Sequence, residues 1–119
     1  MKKVLIVDDH DDIRRMIRLT LGNQYVILEA ADAHEAEVIV RREKPAAIVL
    51  DVMMPGDMDG YELCRRIKND SELSGIQVIL VTARGQEADR ETGAAVGADA
   101  YYVKPFSPLA LVRDIQDRL

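Results

Sequence analysis

The sequence contains no tryptophan, a single phenylalanine and a single cysteine, Cys64. One cysteine cannot close an internal disulfide, which excludes a cross-linked secreted scaffold and fits a reducing compartment. Four tyrosines and one phenylalanine offer little aromatic surface for stacking bases. Positive charge is in deficit as well, with 16 Lys+Arg against 21 Asp+Glu and a formal charge of −5. Nucleic-acid binding normally needs a basic face, so no direct nucleic-acid partner is expected. No apolar run approaches the ~20 residues that cross a bilayer. Lys2-Lys3-Val4-Leu5-Ile6-Val7 opens like a signal peptide, but acid arrives at Asp8 after four apolar residues, too few for its hydrophobic segment. A cytoplasmic protein without membrane contact is expected. His10 and His34 stand too far apart for a zinc pattern and read as a loop and a helix-surface residue.

What is present is a chain of 119 residues, 48% apolar and 31% charged, enough for one domain with a real core. Residues 1–119 are expected to form that single domain.

Three short apolar runs, Val4–Val7, Ala46–Leu50 and Val78–Val81, are continuous rather than alternating, the mark of strands buried on both faces. Tyr101–Val103 is weaker and Tyr25–Leu28 is mixed. Helical periodicity fills the gaps, over Asp12–Leu21, Ala33–Glu43, Tyr61–Asn69, Gln86–Val96 and Pro108–Leu119. In the first of these Ile13, Met16, Ile17, Thr20 and Leu21 share the inner face, and Arg14, Arg15 and Arg18 point outward. Pro45 closes the second helix, and Pro108 suits the first turn of the fifth. The spacing predicts an α/β fold of (βα)₅ type, with strands starting near residues 3, 25, 46, 76 and 99 and helices on both faces of a parallel sheet. Cys64 and Leu63 read as core, and Met53, Met54 and Tyr102 as packing residues. The fourth helix has only Ala88, Ala94, Ala95 and Val96 to bury, with glycine at 93, and is the element expected to move most easily.

In open α/β sheets function collects at the carboxyl ends of the strands. There the sequence places Asp8-Asp9 after the first strand, Asp51 after the third, Thr82 after the fourth and Lys104-Pro105 after the fifth. Singly, each would pass as a turn or capping residue. Together, converging carboxylates repel one another and invite a hard divalent cation, Mg²⁺ or Mn²⁺ rather than zinc.

Val4-Leu5-Ile6-Val7-Asp8-Asp9, Ile48-Val49-Leu50-Asp51-Val52-Met53-Met54-Pro55, Asp59-Gly60-Tyr61-Glu62-Leu63, Val81-Thr82-Ala83 and Gly97 through Phe106 resemble the receiver domain of two-component response regulators. The resemblance runs in order over nearly the whole chain. It implies a flavodoxin-like receiver fold with strand order 2-1-3-4-5 and no output domain within residues 1–119. It implies a phosphorylation-activated switch in which Asp51 accepts a phosphoryl group from a phosphohistidine on a sensor histidine kinase or a histidine phosphotransfer protein. Asp9, Asp51 and the main-chain carbonyl of Met53 would ligate Mg²⁺, for which Mn²⁺ can substitute, and Asp8 would reach it through water. Thr82 and Lys104 would bind phosphoryl oxygens, Thr82 and Tyr101 would switch, and the Lys104–Pro105 bond would be cis. The fourth helix, fifth strand and fifth helix would then present a changed face to a downstream protein or output domain. The kinase is expected to dock on the first helix.

The chain departs from the family in places. The loop after Asp51 is one residue longer and carries Asp57, either a further carboxylate at the rim or a solvated loop residue. Met53 and Arg84 occupy two positions that tune phosphoryl lifetime, and their bulk predicts a long-lived phosphoryl group. Ala100 and Asp114 stand where one DNA-binding subgroup has an acid and an arginine that bridge a dimer, so a monomer or a weak phosphorylation-linked dimer is expected, with Leu109 a candidate contact. An aspartyl-phosphate phosphohydrolase would want a second Asp where Met53 stands, and room for a cap. A phosphorylation-independent interaction domain would typically have lost an acid or the lysine. The expectation is therefore a switch that catalyses only its own modification.

Overall fold

The computed structural model describes residues 1–83 and 85–119. Strands and helices alternate along it: β1 (Lys3–Val7), α1 (Asp11–Leu21), β2 (Val26–Ala30), α2 (Ala33–Glu43), β3 (Ala47–Asp51), α3 (Gly60–Asn69), β4 (Gln77–Thr82), α4 (Glu87–Ala95), β5 (Ala100–Val103) and α5 (Pro108–Arg118). All five strands are parallel, in the order β2-β1-β3-β4-β5.

The continuous apolar runs explain the layering. Successive side chains of a strand face opposite ways, so each run feeds two cores. Leu5, Val7, Ile48, Leu50, Val78 and Leu80 join α2 and α3 on one side, through Ala36, Val40, Leu63, Cys64 and Ile67. Val4, Ile6, Ala47, Val49, Ile79 and Val81 join α1 and α5 on the other, through Ile17, Leu21, Leu111, Val112 and Ile115. The weaker runs make the two edge strands, β2 and β5, which are mostly half-buried.

Local chemistry sets the helix starts. Asp32, Asp59 and Ser107 each accept a backbone N–H in the first turn of α2, α3 and α5, and Pro108 opens α5. α2 ends at Glu43 with Lys44 left-handed before Pro45 (φ 45°). Two inner-face assignments are corrected. Met16 is 37% exposed, at the margin of the α1 face whose centre is the buried Ile17 and Leu21. In α4 only Gly93 is buried, and Ala88, Ala94 and Ala95 face solvent.

Candidate functional site

Strand register gathers the acidic residues. Val7 of β1 pairs with Leu50 of β3, so Asp8 and Asp51 emerge side by side at the carboxyl edge of the sheet. Both are buried, 3% and 4% exposed, while Asp9 and His10 lie exposed at the rim. Asp51 is followed by a turn in which Met53 N–H donates to Asp51 Oδ1 at 3.3 Å. Gly60 closes that turn by donating its N–H to the Val52 carbonyl at 2.9 Å. A β-carbon on Gly60 would lie 2.8 Å from Val52 Cα, so no other residue lets α3 start this close to β3.

Lys104, on the loop after β5, reaches across two strands. Its Nζ lies 3.1 Å from Asp8 Oδ2 and 3.5 Å from Asp51 Oδ2. Although burial penalises its charge, Asp51 and Asp8 hold the ammonium above its ordinary range. Burial and then the neighbouring Asp8 charge push the Asp51 carboxyl up to about 6, and Lys104 only partly offsets them. The Lys104–Pro105 peptide bond is cis. Thr82 is fully buried at the end of β4, one residue beyond the Asp51–Val81 pair, and its carbonyl accepts Lys104 N–H at 2.8 Å.

The structure also brings in His10, which the sequence reading leaves as a plain loop residue. As N-cap of α1 it is extended, and its ring makes no capping bond. The ring turns back instead, with Nδ1 3.0 Å from Asp8 Oδ1 and 3.2 Å from Asp9 Oδ1. Both carboxylates raise the imidazole pKa, chiefly through the Asp8 hydrogen bond. The clue was available in its position directly after the acidic pair. One donor atom each from Asp8, Asp9, His10 and Asp51 lie within 4.8 Å of one another. Such a donor set, rich in carboxylate oxygen and carrying net negative charge, fits a divalent cation.

Tyr101 sits apart from the acids, toward α4. Its hydroxyl is 3.0 Å from that of Tyr61, which also donates to the Asp89 carbonyl at 3.1 Å. Arg90 lies over the Tyr101 ring, 5.4 Å from its centroid.

Other expectations change in detail. Arg14 is tied down rather than outward, its guanidinium bonded to Glu29, Asp11 and the Asp8 carbonyl. Met53 is half-exposed beside Asp51 and is not a packing residue. Asp57 does not join the site: its Oδ1 lies 2.5 Å from His34 Nε2 on α2. Asp114 is engaged within the chain by Tyr102 and Arg118 at 2.7 and 2.8 Å, and Leu109 is exposed. Arg84, the other lifetime position, lies outside the described residues.

Residues 4–116 match the family model for the response regulator receiver domain. A probable transcriptional regulator ycf27 of Porphyra purpurea is 43% identical over 120 residues, which is 99% of this chain and 47% of that protein. The phosphate regulon transcriptional regulatory protein PhoB of Pseudomonas aeruginosa is 45% identical over 112 residues, 93% of this chain and 48% of its own length. Among solved structures, the chemotaxis protein CheY4 of Vibrio cholerae superposes with a TM-score of 0.90 at 34% identity, covering 100% of this chain and 99% of the other. The chain thus spans about half the length of the curated relatives it matches. Those names correct the expectation of no nucleic-acid partner. The charge of −5 describes these 119 residues alone, and relatives named as transcriptional regulators have as much sequence again outside the match.

Proposed function

Because this chain belongs to the response regulator receiver family, the phosphorylation-activated switch of two-component signalling, we propose that Asp51 is the residue that takes the phosphoryl group. One observation carries the assignment: Asp51 is a buried carboxylate at the carboxyl end of the central strand, with Lys104 at 3.5 Å and the exposed Asp9 at the rim.

In this reading an Asp51 carboxylate oxygen attacks the phosphorus of a phosphohistidine. The new O–P bond forms as the P–N bond breaks, and the departing imidazole takes the electron pair. Phosphoryl transfer asks mainly for positioning and for positive charge on the phosphoryl oxygens. Lys104 supplies one such charge, and the Thr82 hydroxyl offers a hydrogen bond to a second oxygen. Mg²⁺ or Mn²⁺, held by Asp9, Asp51 and the Met53 carbonyl with Asp8 behind, would supply further positive charge there. Asp8 and Lys104 hold each other in place, and β2 anchors Asp8, whose N–H donates to the Ala30 carbonyl at 3.1 Å.

Tyr101 links this chemistry to the surface through Tyr61, Arg90 and α4. A bound phosphoryl group that draws Thr82 inward would shift the population of Tyr101 and α4, and with them the α4–β5–α5 face. The relatives' names point that output toward control of transcription, through a nucleic-acid-binding partner or segment governed by the receiver. The chain acts in the cytoplasm, modifies itself and turns over no separate substrate.

Intact mass after incubation with acetyl phosphate tests the assignment. A single phosphoryl gain that needs both a divalent cation and Asp51 is expected. A gain that survives Asp51→Ala would overturn it.

A further inference from the structure

Tyr61 joins three elements at one atom. It is the second residue of α3, and its hydroxyl lies 3.0 Å from that of Tyr101 on β5 and donates to the Asp89 carbonyl of α4 at 3.1 Å. We infer that Tyr61 is a positioning residue of the switch: its hydroxyl latches Tyr101 and α4 in the unphosphorylated pose. It also gives the turn after Asp51 its own route to α4, beside that through Thr82. The inference rests on the switch of the proposed function and deepens it.

Three observations support it. A phenol carries one proton, and Tyr61 gives its own to the Asp89 carbonyl, so the bond between the hydroxyls runs from Tyr101 to the Tyr61 oxygen. Tyr101, Tyr61 and the α4 backbone thus form one directed chain, whose links polarise one another. The start of α3 is fixed to the strand that carries Asp51. Gly60, just before Tyr61, donates to the Val52 carbonyl at 2.9 Å and leaves no room there for a β-carbon. A shift of the turn after Asp51 therefore reaches Tyr61 through the backbone. The Tyr101 ring, in turn, meets α4 twice. A β-carbon on Gly93 would come 2.7 Å from its Cδ2, and Arg90 lies over the ring at 5.4 Å from the centroid. Tyr101 cannot turn without disturbing α4, and the Tyr61 hydroxyl ties both to the turn at the acid site.

The same residue has a plainer use. Its ring is 9% exposed and belongs to the core between the sheet and α2–α3, which it would fill whatever its hydroxyl does. Phenylalanine keeps the ring and removes only the hydroxyl, which separates the two uses. α4 opens locally, so its amide protection reports only the bonds that break when it lifts away. A hydroxyl that merely completes the core leaves that protection alone; a latch does not.

The test compares wild type with Tyr61→Phe, with and without acetyl phosphate and Mg²⁺. It reads amide exchange over residues 87–95 and the NMR signal of the ring-labelled Tyr101, assigned through Tyr101→Phe. In unphosphorylated Tyr61→Phe, α4 protection is expected to fall about fivefold, and the Tyr101 signal to move toward its phosphorylated position. Once phosphorylated, the two proteins should agree within about twofold, because the latch is then already open. Unchanged α4 protection with an unmoved Tyr101 signal would overturn the latch, as would an equal loss of α4 protection in both phosphorylation states. A wild-type Tyr101 signal that stays in place although Asp51 is phosphorylated would instead sink the switch on which the latch rests, so the two failures are distinguishable.

Discussion

Gly93 of α4 lies so close to the Tyr101 ring that a β-carbon at position 93 would come 2.7 Å from Tyr101 Cδ2. It is the one buried residue of α4, so the helix with least to bury rests on the aromatic side chain that the switch is proposed to move. Gly93→Ala must displace the ring or the helix. Overpacking of this kind costs about 1–3 kcal/mol, against at most about 1 kcal/mol of helix propensity gained. A net loss of roughly 1–2 kcal/mol is expected by urea unfolding. A variant more stable than wild type would show that Tyr101 is not held here.

The raised Asp51 carboxyl carries a stability consequence. In the unfolded chain Asp51 ionises near 3.8, but in the fold only near 6. Between those values the folded protein binds the extra proton, so stability is lost as pH rises through the interval and stays lost above it. Asp51→Asn removes this penalty. In metal-free buffer at pH 7 it should be more stable than wild type, by up to about 3 kcal/mol, with the advantage vanishing near pH 4. Added Mg²⁺ should narrow the gap by stabilising the wild type alone. An advantage independent of pH would point to packing instead.

The arginines of α1 divide into two kinds. Arg14 is half-buried against Glu29 and the Asp8 carbonyl, whereas Arg15 is exposed. Arg14→Ala should cost about 1–2 kcal/mol of stability. Arg15→Glu should leave stability alone and slow phosphoryl transfer from a kinase, while sparing transfer from acetyl phosphate. Equal slowing with both donors would place the kinase elsewhere.

His34 and Asp57 tie the lengthened β3–α3 loop to α2. The Asp57 hydrogen bond and charge raise the His34 pKa above 6.5, and the same contact lowers that of Asp57. The tether is thus fully present below 6.5, is lost as pH rises through the raised histidine value, and fails again in acid as Asp57 protonates. Amide exchange over residues 55–58, corrected for intrinsic rate, should be faster at pH 8.5 than at pH 6.5, and His34→Ala should abolish the difference. A difference that persists in the variant would exclude the pair as its cause.

Much of this architecture is legible in sequence, because the runs Val4–Val7, Ala46–Leu50 and Val78–Val81 leave only a sheet buried on both faces. The same frame sends Asp8, Asp51, Thr82 and Lys104 to one edge. Side-chain direction is less legible. His10 and Arg14 look like loop and surface residues until the turn from β1 into α1 folds them back onto the Asp8 carboxylate and carbonyl, two and six residues away, a direction that residue pattern does not specify. Gly93 appears as a weakness of α4 until Tyr101, from the next strand, occupies the space a side chain would need. The partner class is not legible for another reason: the net charge belongs to residues that span about half of the relatives' length.

The central claim is that Asp51 carries the phosphoryl group, and the most direct measurement is its chemical location. Protein phosphorylated with acetyl phosphate and Mg²⁺ is reduced with borohydride, which converts an acyl phosphate to the alcohol, and its peptides are mapped by mass. Reduction at Asp51 alone is the predicted result. Reduction at Asp8, Asp9 or any other carboxylate, with Asp51 intact, would contradict the account.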